Sequence, residues 1–167
     1  NQWVSPCTYS LFTIHSSLAF LDTREAFVKS TTAGDFMELR VLAIGDVVRA
    51  RGVDFLCRHL PSLRRQYDIH FTVVNGENAA SNGLMPQQAR DIFSAGADVI
   101  TMGNHTWGKR QIVDEMERNP YILRPANYTS RAPGRGWGLF DGPRGTTIRV
   151  VNLIGRCGMA ANFDNPF

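Results

Sequence analysis

At 167 residues the chain is long enough for one domain with a real core, and its composition, 43% hydrophobic and 20% charged, is that of an ordinary soluble globular protein. A net charge of +3, dispersed along the chain, gives no argument for a nucleic-acid polymer as partner. Cys7, Cys57 and Cys157 are odd in number, far apart and without a CxxC pair, which speaks for reduced thiols in a cytoplasmic setting, and no run approaches the eighteen or so apolar residues of a membrane span.

Residues 1–36 mix Ser, Thr and aromatics without a sustained period. No basic stretch precedes the mildly apolar residues 10–21, so a secretory signal is not expected. This segment reads as a poorly ordered extension with a short helix over residues 18–28, ahead of a natural start at Met37. Residues 39–44 then form a short apolar run ending in Gly45-Asp46, as a buried parallel strand would. From Val53, helical spacing sets Phe55, Leu56, Leu60, Leu63 and Tyr67 on one side, with His59. Arg58, Arg64 and Arg65 fall mostly on the other, a solvated face or a phosphate-binding one.

A second strand over 69–74 ends at Asn75-Gly76-Glu77-Asn78. Past Ser81-Asn82-Gly83, Pro86 opens a helix that carries Ala89, Ile92 and Phe93 on one face and stops at Gly96. The third strand, 97–101, leads into Met102-Gly103-Asn104-His105-Thr106-Trp107. The next helix turns Ile112, Val113 and Met116 inward and closes at Asn119-Pro120. Residues 121–123 make a fourth short strand, 129–145 an exposed loop or hairpin, and 146–154 a last strand. The alternation of strands and helices predicts right-handed crossovers and a parallel sheet with helices on its faces. Ligands in such sheets sit beyond the carboxyl ends of the strands.

Three of those ends are polar. Asp46, Glu77, Asn78, Asn104 and His105 make a hard-ligand set, and carboxylate and amide oxygens with imidazole suit manganese, iron or zinc. Two ions about 3.5–4 Å apart would clamp a phosphate ester and supply a hydroxide nucleophile at neutral pH. A histidine just outside them would protonate the leaving oxygen. Taken singly, each tip has a plainer reading: Asp46 caps a helix, Glu77-Asn78 hold a turn, and His105 caps the next helix or donates to a carbonyl. The conjunction favours a site, because each tip follows a strand and pairs Gly with a ligand-type residue. A nucleotide-binding site without metals competes, weakened by the lack of GxGxxG or GxxxxGK[ST].

The blocks Ala43-Ile44-Gly45-Asp46-Val47-Val48, Val74-Asn75-Gly76-Glu77-Asn78-Ala79, Gly103-Asn104-His105-Thr106-Trp107, Arg124-Pro125-Ala126-Asn127-Tyr128 and Asp164-Asn165-Pro166-Phe167 stand in this order. In them the chain resembles the YmdB-like metallophosphoesterases, bacterial members of the calcineurin-like phosphoesterase superfamily known for phosphodiesterase activity on 2′,3′-cyclic nucleotides. The resemblance covers residues 37–167. It implies an α/β fold, the N-terminal half of an α/β/β/α sandwich of mostly parallel strands flanked by helices. It also implies two divalent or trivalent metal ions (Fe, Mn or Zn). Asp46 would bind one ion, Glu77 bridge both, Asn104 bind the second and Asn78 sit on or beside the first. His105 would be the general acid, and the substrate a small phosphodiester or nucleotide.

Val48 stands where many superfamily members keep a histidine ligand, as expected of this branch. Arg49-Ala50-Arg51-Gly52 replaces a glycine followed by a Pro-Gly pair. Arg49 either changes the loop or blocks access, or else binds phosphate together with Arg51. The family's other metal ligands are histidines beyond the Asn-Pro-Phe block, and of His15, His59, His70 and His105 only the last matches a family position. The expectation is therefore part of a metal-dependent phosphodiesterase. The alternative is an inactive fragment or a binding module, whose open sheet edge and unfilled apolar face predict homo-oligomers. A Rossmann-like nucleotide binder is the third and weakest reading.

Overall fold

Short strands that are apolar on both faces dictate a sheet covered on both sides, and two layers supply that cover. The structure, a computed structural model, describes residues 8–14, 17–21, 27–32 and 35–155, with side chains from residue 39 onward. In chain order the elements are β1 (Thr8–Ile14), β2 (Ser17–Leu21), β3 (Phe27–Thr32), β4 (Asp35–Ile44), α1 (Arg49–Gln66), β5 (Phe71–Asn75) and α2 (Pro86–Ser94). There follow β6 (Val99–Thr101), α3 (Gln111–Arg118), β7 (Ile122–Leu123), β8 (Trp137–Asp141) and β9 (Thr147–Ile154).

One sheet has the order β3-β4-β5-β6-β7, with β4 to β7 parallel and β3 antiparallel at the edge. The other is antiparallel, in the order β2-β1-β9-β8. Period-two alternation splits the parallel strands between two cores. Val41, Phe71, Val73, Val99 and Leu123 meet Phe140, Ile148 and Val150 of the second sheet. Val74, Ile100 and Ile122 face Leu56 and Leu60 of α1, Ala89 and Ile92 of α2, and Ile112 and Met116 of α3. Each fully buried aliphatic side chain contributes about 1.5–3 kcal/mol, enough to hold a three-residue strand such as β6 between two partners.

The layers are thus helices, parallel sheet, antiparallel sheet. The expected parallel sheet flanked by helices is present, and all three helices pack on the face away from the second sheet, as an α/β/β/α arrangement implies. The strand order never reverses, and right-handed crossovers that always step the same way must all pass over the same face. For the same reason the sheet lacks the reversal that makes a Rossmann crevice.

Three local expectations change. The described parts of residues 18–28 are strand, in β2 and β3, not helix. Phe55, 61% exposed, and Tyr67 leave the apolar stripe of α1, which Val53, Leu56 and Leu60 alone define. His59 goes with Phe55, their rings 4.3 Å apart on the solvent side. Arg64 leaves the solvated face: its Nη1 donates to Asp98 Oδ2 at 2.6 Å, Thr72 Oγ1 at 3.0 Å and the Gly96 carbonyl. It ties the end of α1 to the turn before β6. Among the described residues no helix is long and apolar enough to cross a membrane.

Candidate metal centre

The three polar tips follow β4, β5 and β6 at the carboxyl edge of the parallel sheet, and backbone bonds stitch them together. Val47 N–H donates to Asn75 O at 3.0 Å, Arg49 N–H to Asn78 O at 2.9 Å, and Gly76 N–H to Thr101 O at 3.0 Å. In the third tip, Thr106 Oγ1 donates to Gly103 O at 2.6 Å and holds the turn.

Side chains then link all three. Asn78 Nδ2 donates to Asp46 Oδ1 at 2.6 Å, and Asn78 Oδ1 lies 2.7 Å from His105 Nδ1. A carboxylate only accepts, so the amide NH₂ must face Asp46 and its oxygen must face His105. That oxygen in turn fixes the proton on Nδ1, which leaves Nε2 to exchange one. His105 N–H donates to Glu77 Oε2 at 3.3 Å, and the Asn104 N–H is directed at the same carboxylate. Glu77 is only 5% exposed. Burial raises its pKa, the neighbouring Asp46 adds to the rise, and the His105 and Asn104 contacts oppose it.

Gly103 is required here by close approach. A Cβ at this position would overlap all three atoms of the Glu77 carboxyl group. Asp46 and Arg49 both have left-handed backbones, φ +40° and +59°. Arg49 thus holds a conformation that favours glycine, and it is exposed. Thus Asp46, Glu77, Asn78, Asn104 and His105 share one edge, whereas His70 and His59 do not. The His70 Nδ1 accepts from Arg40 N–H at 3.0 Å, at the amino end of β5. His15 lies outside the described residues.

The donor chemistry suits a hard cation. Glu77 is a buried carboxylate with no Lys, Arg or His ion pair among the described residues, and Asp46 adds a second negative charge beside it. A buried carboxylate beside a second, exposed one is costly to ionise until a cation sits near both. Among the described residues no three of His, Cys, Asp and Glu cluster, and the further hard donors along this edge are the side-chain amides of Asn78 and Asn104.

Several supports escaped the sequence reading. Trp107 packs edge-on against Tyr128, ring centroids 4.5 Å apart. Burial, with the Glu77 charge, pushes the Tyr128 phenol up to about 12. Asn152 donates from Nδ2 to Met102 O at 2.7 Å and Leu123 O at 3.0 Å, pinning β9 beneath the third tip. Asn127 exchanges two bonds with Ile154, 2.9 and 3.0 Å. A signal for Asn152 existed: along β9 it takes an inward position, in line with Ile148, Val150 and Ile154.

The family model described as YmdB-like protein matches residues 42–167, three quarters of the chain and all three tips. The chain belongs to the YmdB-like protein family. A 2′,3′-cyclic-nucleotide 2′-phosphodiesterase of Bacillus subtilis (strain 168) is 42% identical over 130 residues, covering 77% of this chain and 48% of that protein. The crystal structure of a hypothetical protein from Thermus thermophilus matches with TM-score 0.64 and 32% identity, over 75% of this chain and 48% of that one. A novel phosphatase of Mycoplasma pneumoniae matches with TM-score 0.56 and 24% identity, over 71% and 40%, a likeness of fold alone. The chain spans about half the length of the curated YmdB-like relatives it matches.

Proposed function

We propose that this chain carries part of the active site of a metal-dependent phosphodiesterase acting on small phosphodiesters, 2′,3′-cyclic nucleotides in particular, in the cytoplasm. Residues 37–167 would be the portion of the domain present here. The observation that carries the reading is Glu77: a buried carboxylate without an ion-pair partner among the described residues, gripped by the backbone of one strand tip and set beside Asp46 of another. Its named relative in Bacillus subtilis supports the reaction class.

Asp46, Glu77 and Asn104 would hold the ions, manganese, iron or zinc, with Asn78 beside the first. When bound, such ions supply Lewis acidity toward phosphoryl oxygens and lower the pKa of water. The protein's own part is geometric and protonic. Asn78 fixes the His105 ring through Nδ1, which orients Nε2 as the atom that delivers a proton to the departing oxygen. Glu77 is held by backbone N–H donors that cannot rotate away. The test is release of nucleoside monophosphate from 2′,3′-cyclic AMP with added Mn²⁺ by a form extended to the full length of the relatives, and by its His105→Ala variant. We expect turnover that falls about 10²–10⁴-fold in the variant. No turnover of any phosphodiester by a folded, metal-loaded protein would refute the assignment.

A second reading, an associating module, draws on Trp137 and Leu139, more than half exposed at alternate positions on one face of β8. Concentration-dependent dimers in gel filtration would favour it.

A further inference from the structure

β8 is the last strand of the antiparallel sheet, and among the described residues no strand pairs with its far edge. Asn152 N–H donates to Gly136 O at 3.0 Å and Gly142 N–H to Thr146 O at 2.7 Å, so the even positions of this stretch turn their backbone groups toward β9. Trp137, Leu139 and Asp141 therefore point theirs outward, with no backbone partner among the described residues. A cleft of about 960 Å³, lined by Trp137, Gly138 and Leu139 together with Tyr128, Thr129 and Ser130, opens against this strand. An open edge is ordinarily blunted by Lys or Pro, and Trp137-Gly138-Leu139-Phe140-Asp141 has neither. Its outer face is apolar instead: Trp137 and Leu139 are more than half exposed, and half-buried Val151 and Leu153 of β9 continue the strip.

An antiparallel edge is its own complement. Turned by a two-fold axis through Leu139, a second copy of β8 offers a donor to each outward carbonyl. In that register Leu139 lies opposite Leu139, and Trp137 lies opposite Asp141 of the second copy. The charges agree with it. The Arg149 guanidinium stands 6.0 Å over the Trp137 ring, and neither Arg149 nor Asp141 has an ion pair among the described residues. Across the axis, Arg149 and Asp141 of the second copy flank the same Trp137, an opposite-charge pair that the symmetry repeats.

We propose that β8 is a dimerisation edge, pairing antiparallel about Leu139 with β8 of a second copy of this chain. The proposal rests on the associating reading, to which it gives an interface, and needs neither metal nor turnover. A strip one strand wide makes a weak dimer, populated at high protein concentration. The test is sedimentation equilibrium of the 167-residue chain over a range of concentrations, with the Asp141→Arg and Arg149→Asp variants measured alone and mixed. Alone, each variant sets like charges against each other on both sides of the axis, and its dimer should weaken about tenfold. Mixed in equal amounts, the two variants regain opposite charges, and a heterodimer about as tight as the native dimer is expected. Both positions are exposed, and circular dichroism checks that the variants keep the fold. A monomer at every concentration would overturn this interface and the associating reading together. A dimer that neither variant weakens, or variants that stay apart on mixing, would overturn the interface alone.

Discussion

Glu77 and Gly103 show how one side chain's position depends on the absence of another. The Glu77 carboxylate fills the space a Cβ on residue 103 would need, so Gly103→Ala must push it away from the His105 and Asn104 N–H groups. We predict that Gly103→Ala lowers kcat/KM of the extended enzyme about a hundredfold or more, roughly 2.7 kcal/mol. Steady-state hydrolysis measures it. Arg49 is the opposite case, a side chain where the backbone asks for none. Its φ of +59° costs about 1 kcal/mol, partly offset by the chain entropy that glycine would bring. Arg49→Gly should therefore raise stability by roughly 0.5 kcal/mol, seen as a rise of a few degrees in Tm. Tyr128 supplies a pH signature. Its phenol is pushed up to about 12, above the usual value near 10, so the neutral ring favours the fold below about 10 and that contribution fades as pH rises toward about 12. Ultraviolet titration should show one late tyrosine, and Tyr128→Phe should remove that step.

Among the elements, the sequence was most readable where spacing is set by a buried face. Leu56, Leu60, Ala89, Ile92, Ile112 and Met116 all point where their period says. Gly96, φ +111°, ends α2 as a C-terminal glycine should. Phe55 failed because hydrophobicity alone does not bury a residue one step off the stripe. Which face the helices cover could not be read from periodicity, since face choice follows from strand order, a long-range property. Helical spacing sets Arg64 on the solvated face because its partners, Thr72, Gly96 and Asp98, come from elements distant in sequence. That network joins α1, β5 and the α2–β6 turn around a half-buried charge pair. Arg64→Ala leaves Asp98 without its counter-charge, and we predict a loss of about 2 kcal/mol in chemical denaturation. Asp98→Asn in the same background should add little, because the two changes remove one interaction.

At the scale of the molecule, a parallel sheet with helices on one side and an antiparallel sheet on the other gathers three strand ends along one edge. The motifs at those ends were legible in sequence, and so was their convergence, because parallel strands must present their carboxyl ends together. What composition and spacing did not reveal was the frame that holds them: Asn152 beneath Met102 and Leu123, and Tyr128 against Trp107. Those are tertiary pairings without a local period. If Glu77 and its neighbours form a cation site, Mn²⁺ titration of the chain, followed by electron paramagnetic resonance, shows saturable binding that weakens by more than about a hundredfold in Glu77→Gln, a loss larger than that of a typical supporting residue. Equal binding by the folded variant, or no saturable binding by the native chain, would contradict it.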